Sequence, residues 1–170
     1  RAERMLKPVV KLTSLIFVGI TPGDTGNREI VSASATGFSI GYDIQEDTSY
    51  VLTNAHFCDG IDPNANQLLT AETFETLRAE MPSGDNFLPS TVLYSNSEVD
   101  LCIVASYGYI KPAVIADEEY APKQFEKIYI VGAPNGNFPI IIETFMSSMV
   151  RKETISSSND MRINDNSLML

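Results

Sequence analysis

Short runs rich in β-branched and aromatic residues recur about every ten residues along this chain, each bounded by Gly, Pro, Asn, Asp or Ser. That rhythm constrains the fold more than any other feature, because it belongs to β-sandwiches and barrels rather than to alternating strands and helices. The predicted strands are Val9 to Ile20, Ile30 to Ser34, Thr36 to Tyr42, Tyr50 to Ala55, Phe87 to Ser95, Leu101 to Ala105, Lys127 to Gly132, Pro139 to Val150 and Met161 to Ile163. The stretch LTAETFETLRAE, Leu69 to Glu80, invites a helix, yet its threonines and alternating Thr/Glu pattern suit a strand nearly as well, and it stays open. GNREIVSASATGFSIGYDI reads as two strands meeting at Ala35-Thr36-Gly37, and Asp43 to Ser49 is a polar hairpin loop leading into the next strand.

A length of 170 residues fits one ordinary domain or two small barrels sharing an interface, and 44% hydrophobic residues suffice for a core. Residues 106–126 are polar with two prolines and read as a connector, after which the chain re-enters a core at KIYIVG. Thr154 to Asn166, rich in Ser, Asn and Asp, reads as a mobile loop. The apolar run LIFVGI, Leu15 to Ile20, is far short of the ~20 residues of a membrane helix and ends at Thr21-Pro22-Gly23, so it reads as a buried strand. No charged segment with a long apolar region and a small-residue cleavage site is found, so no secretory signal is read and the compartment stays open. The net charge of −10 opposes binding to phosphate backbones and anionic lipid surfaces, which sets nucleic acid and membranes aside as partners. The two cysteines, Cys58 and Cys102, make no disulfide framework, and no Cys/His cluster suggests a metal.

Chemistry concentrates in three pieces. TGFSI leads to YVLTNAH, ending at His56, the only histidine; SNSEVDLCIVAS contains Asp100, 44 positions later; IYIVGAPNG ends at Gly136. In this order they resemble the trypsin-like serine endopeptidases, above all the bacterial and viral branch without a zymogen-activating N-terminus, over roughly residues 8 to 150. That resemblance implies an all-β, chymotrypsin-like double β-barrel with an incomplete second barrel. Its expected divisions are a first barrel over 1–105, the connector over 106–126 and a partial second barrel over 127–170.

It also implies roles. A serine hydroxyl is a poor nucleophile near neutral pH, so an imidazole must take its proton and return it to the leaving amine; His56 matches that position. A carboxylate on the other ring nitrogen fixes the tautomer and stabilises the imidazolium; Asp100 matches it, while alone it could be an ordinary turn or cap residue. Asp43, Asp47, Asp59 and Asp62 are weaker rivals because none precedes an apolar strand. Gly132-Ala133-Pro134-Asn135-Gly136 looks like the family's Gly-x-Pro-x-Gly turn, or simply a hairpin turn. A Cys58/His56 dyad is disfavoured, since residues i and i+2 along one strand leave no slot for substrate between them. Many relatives place a cysteine directly after the histidine, bonded to an earlier strand; here it comes one place later and TGFSI offers no partner. Cys58 and Cys102 come near each other if His56 and Asp100 do, but both read as small buried hydrophobes before they read as a bonded pair.

The family's nucleophile lies in a Gly-Asp/Asn-Ser-Gly-Gly turn, which this sequence lacks. Ser167 follows Asn166, but Asp165 stands in the first glycine's place and Leu168-Met169 replace the two that follow, so a carboxylate would repel the oxyanion and side chains would crowd the bend. Ser156, Ser157 and Ser158 read as solvated linker. The chain begins at Arg1 without an initiator methionine, which reads as processing or excision, and the apolar end SLML is expected to pair with something outside the chain. The expectation is therefore the His/Asp-bearing portion of a serine endopeptidase, acting on polypeptides through an acyl-enzyme, needing no cofactor, and inert without a serine-bearing C-terminal remainder. The alternative is a non-catalytic scaffold or interaction module among the subunits of a larger assembly, such as a viral particle; a small-molecule-binding barrel ranks last.

Overall fold

The computed structural model of the chain describes residues 2–18, 28–66, 73–84, 86–149 and 168–169. The chain divides into two compact units, Arg1–Val114 with Gly132–Ile140, and Ile115–Val131 with Ile141–Leu170. The first unit contains a short helix α1 (Ala2–Leu6), strands β1 (Val9–Val18), β2 (Arg28–Asp43) and β3 (Thr48–Thr53), a helical turn α2 (Ala55–Cys58), and strands β4 (Thr73–Glu80), β5 (Phe87–Asn96) and β6 (Leu101–Tyr107). These six strands close into a barrel in the order β1-β2-β3-β6-β5-β4, every neighbouring pair antiparallel. Closure gives each of the six strands a neighbour on both sides, although β4 and β5 meet over only three residue pairs. Further along, β7 (Lys127–Gly132) pairs with β8 (Ile140–Phe145), and β9 (Ser148–Met149) pairs with β10 (Leu168–Met169). The architecture is all-β, with a closed barrel and a second, smaller sheet, consistent with a chymotrypsin-like double barrel whose second half is incomplete.

The structure settles the open stretch at β4 and corrects the two-strand reading at Ala35-Thr36-Gly37. In β4, Glu75, Leu77 and Ala79 are buried while Thr76, Arg78 and Glu80 are less so, a period of two that only a strand produces. Glu75 is tolerated inside because Ser14 Oγ donates to one carboxylate oxygen at 2.9 Å and the Asp62 N–H to the other at 3.0 Å. Residues 28–43 form one continuous strand, not two meeting at Ala35-Thr36-Gly37, because those three pair with Leu12, Lys11 and Val10 of β1 without a break. Gly37 serves close approach instead of a turn: a Cβ there would lie 2.5 Å from Val51 Cγ1 and 3.3 Å from Leu12 Cδ1. The turn itself lies between β2 and β3, where Asp43 Oδ1 accepts the N–H groups of Gln45 and Glu46 at 2.8 and 3.3 Å.

Val10, Leu12, Val51, Leu77 and Val104 are fully buried and form the apolar centre of the barrel. The remaining interior includes buried serines whose hydroxyls are all bonded. Ser39 Oγ donates to the Ile110 carbonyl at 3.2 Å, Ser49 Oγ donates to the Gly108 carbonyl at 2.7 Å and accepts the Ile110 N–H at 2.8 Å, and Ser90 and Ser106 share a hydrogen bond of 2.8 Å. The segment after β6 is thereby tied to the barrel, with Ile110 1% exposed. Among the described residues no helix is long and apolar enough to cross a membrane. Leu168 and Met169 pair with Met149 and Ser148 of the same chain. Met161 to Ile163 and Thr154 to Asn166 lie outside the described residues.

Gly37→Ala is expected to destabilise the barrel by about 1–3 kcal/mol through overpacking. Urea denaturation followed by circular dichroism checks this, and Gly37→Ala/Val51→Ala should recover part of the loss because the obstructing methyl is gone. Equal stability of Gly37→Ala and the parent would contradict the close approach.

Candidate active site

β3 ends at Thr53, Asn54 is extended at φ −85° and ψ 142°, and Ala55 begins one helical turn. Ala55, Phe57 and Cys58 are buried in that turn, so His56 faces outward with its side chain 75% exposed. The chain around His56 is thus a turn, and not the end of a strand reaching Ala55. This changes why a Cys58/His56 dyad fails: Cys58 points inward, 2% exposed, on the opposite side of the turn from the imidazole.

Asp100 arrives from the other side of the barrel edge. It closes the turn between β5 and β6 with a left-handed backbone, φ 52°, a conformation that Asp and Asn tolerate through their short polar side chains. The antiparallel register of β3 on β6 pairs Thr53 with Cys102, which sets the residues just past the end of β3 beside those just before the start of β6. The His56 backbone N–H donates to Asp100 Oδ1 at 3.0 Å, the ring Nδ1 lies 3.0 Å from both carboxylate oxygens, and Asn54 Nδ2 donates to Oδ2 at 3.2 Å. The structure therefore brings His56 and Asp100 together.

These donors hold the Asp100 carboxyl below the usual carboxylate range, the His56 backbone N–H contributing most. Partial desolvation opposes it, and the His56 ring and the Asn54 amide reinforce it. An ionised carboxylate assigns the hydrogen of the neutral ring to Nδ1, leaving a lone pair on Nε2, which no described residue engages. Such a pair can accept a proton at Nε2 and stabilise the resulting cation.

Cys58 and Cys102 are bonded, with their Cα atoms 6.5 Å apart. This corrects their reading as unlinked buried hydrophobes: both are buried, at 2% and 0% exposure, and the inward side of the turn meets the inward face of β6 at that point. The bond closes a loop of 44 residues, which the chain-entropy account values at about 4 kcal/mol. The equal offset is a usable signal, since Cys58 follows His56 and Cys102 follows Asp100 by two positions each. Asn54 gives no signal in the sequence, because it falls inside the predicted strand Tyr50 to Ala55; in the structure it precedes the helical turn, its side chain makes no cap bond, and its amide donates to Asp100 instead.

The rival carboxylates hold turns in place. Asp43 accepts the backbone donors of its hairpin turn, Asp47 accepts the Tyr42 hydroxyl at 2.7 Å, Asp62 accepts the Asn64 N–H at 2.7 Å, and Asp59 accepts the hydroxyls of Ser95 and Ser97 at 2.7 and 2.8 Å. The Gly132 to Gly136 loop links β7 to β8, and its Ala133 N–H donates to Thr36 Oγ1 at 2.8 Å. The Thr36 carbonyl in turn accepts Thr53 Oγ1 at 2.8 Å, so this loop is tied to β2 and through it to the base of the His56 turn. Ser156, Ser157, Ser158 and Ser167 lie outside the described residues. Among the described residues no group of His, Cys, Asp and Glu side chains is assembled to hold a metal ion.

Residues 35–169 match the trypsin-like peptidase domain family. A comparison with curated protein sequences finds no match.

The Asp100 carboxyl carbon, followed by NMR, should titrate below the ordinary value of about 3.9. In His56→Ala it should stay below that value, since the backbone N–H remains. A folded value below the unfolded one adds stability that is complete above the unfolded value and disappears as pH falls through the folded one. The stability advantage of the parent over Asp100→Asn should accordingly shrink as pH is lowered below about 4. A parent titration at or above the ordinary value would contradict the site geometry.

Proposed function

The chain belongs to the trypsin-like peptidase family, and from that premise we propose that His56 and Asp100 are the general base and orienting carboxylate of a serine endopeptidase. The observation that carries this reading is the contact of Nδ1 with both Asp100 oxygens at 3.0 Å, which turns Nε2 away as the proton-accepting nitrogen. Nε2 takes the proton of an attacking serine hydroxyl as the oxygen bonds to the peptide carbonyl. The imidazolium, facing an ionised Asp100, then gives that proton to the departing amine. Water repeats the cycle on the acyl-enzyme, Nε2 removing its proton and returning one to the serine oxygen. The substrate is a polypeptide, and no cofactor takes part in these steps.

No Gly-Asp/Asn-Ser-Gly-Gly turn occurs in the 170 residues. The reading therefore takes the hydroxyl from a serine-bearing segment outside them, and the 170 residues alone turn over on the order of 10⁶ more slowly than a complete site. The same missing turn favours the competing reading, a protease-like scaffold that binds protein partners without catalysis.

Reading the coding sequence downstream of Leu170, expressing its whole product and treating it with a fluorophosphonate separates the two. Serine labelling that disappears in His56→Ala, with circular dichroism unchanged, is the expected result. A product without a glycine-flanked serine, or labelling indifferent to His56→Ala, overturns the protease reading.

A further inference from the structure

The contacts that join His56 to Asp100 lie on an exposed surface, with side chains 75% and 47% exposed, where a single ion pair or hydrogen bond holds two groups together weakly. The turn that carries His56 has only four residues and no side-chain cap of its own, so it cannot hold its position by helix formation. Asp100 sits at the end of a turn in a left-handed conformation, outside the regular ladder of β6. Both reacting groups thus ride on short, solvent-facing segments.

Directly inward of each is a cysteine. Cys58 follows His56 by two residues and Cys102 follows Asp100 by two, and the bond between them is buried. We propose that the Cys58–Cys102 disulfide is the positioning device of the His56–Asp100 pair, a covalent strut that fixes the distance between the two turns. This rests on the catalytic reading above. Three other links compete for that role: the β3–β6 ladder, which ends at Thr53 opposite Cys102, the apolar anchor of Phe57, 7% exposed, and the exposed Asp59 carboxylate held by Ser95 and Ser97. The ladder stops three residues before His56, Phe57 makes no covalent tie to β6, and Asp59 meets the β5–β6 turn at its β5 end, three residues before Asp100.

Loss of the strut has a signature that loss of the imidazole lacks. The His56 N–H contributes most to the low Asp100 titration, and it stays in place when the ring is truncated; it leaves only if the whole turn moves. The test compares the parent, His56→Ala and Cys58→Ala/Cys102→Val, the last keeping both sites apolar. In the double variant the Asp100 carboxyl should return to the ordinary range and the His56 amide should lose its protection from hydrogen exchange, while circular dichroism still reports the barrel. Fluorophosphonate labelling of the serine-bearing product should fall roughly 10²-fold, the scale set by misplacing a catalytic group by about 1 Å.

Should the double variant fail to fold, the parent is reduced instead with dithiothreitol. Its two thiols pass two electrons and two protons to the S–S bond, giving Cys58 and Cys102 thiols and cyclic oxidised dithiothreitol; reoxidation should restore the Asp100 titration. An Asp100 titration and a His56 amide unchanged by either treatment overturn the proposal. So does loss of the barrel under both, since the bond would then hold the fold and not the pair. Labelling abolished by His56→Ala but unchanged in the double variant removes the strut and leaves the protease reading standing. Labelling indifferent to His56→Ala removes the protease reading, and with it the catalytic meaning of the strut.

Discussion

The register of β3 against β6 is the constraint from which the candidate site follows. With Thr53 opposite Cys102, the chain leaving β3 and the chain entering β6 emerge side by side at one end of the barrel. A slip of β3 by one residue would turn Val51, now fully buried opposite Val104, toward solvent, and would shift His56 away from Asp100 in the same movement. Packing of the core and the meeting of the two segments that carry the polar groups are therefore set by one pairing. A pair of groups 44 positions apart in sequence depends in this way on the interior of the barrel.

A polar interior adds to that specification. Ser39, Ser49, Ser90 and Ser106 have no exposure, and each hydroxyl bonds to a backbone group or to another serine. Buried hydroxyls are costly when unpaired, so these bonds admit few alternative arrangements of the segment after β6. Gly108, at φ 136°, makes this return possible, since a Cβ there would fall 2.7 Å from Leu88 Cδ2.

Much of this could be read from the sequence, and what could not has identifiable causes. The strand rhythm suffices for a β-sandwich or barrel, because periodicity is a property of the chain alone, while naming His56 and Asp100 together comes from the family resemblance carried by the VLTNAH and DLCIV segments. The strand character of β4 was hidden by Glu75, a carboxylate at an inward position where the alternating pattern leads one to expect an apolar residue. The helical turn at Ala55–Cys58 is too short to show a period, and the N–H of its second residue, His56, finds its acceptor on Asp100, a partner no local window contains. Gly37 reads as a strand break because a glycine within a strand can mark a bend as well as the close approach to Val51 found here, and the sequence does not distinguish them. The disulfide ranks second in the sequence because the equal offset of Cys58 and Cys102 brings them near each other only if His56 and Asp100 meet, and that meeting depends on the β3–β6 register.

The left-handed backbone at Asp100 bears on how this position can change. Glycine and asparagine enter that conformation at little cost, while glutamate, threonine and most others do not. The easily accommodated replacements are thus the ones that lack a negative charge: glycine leaves the imidazole unaccompanied, and asparagine faces it with an amide. Conformation narrows the choice to a few small residues, and among them aspartate alone supplies an anion, so mutational drift here would tend to disarm the pair before it deformed the fold.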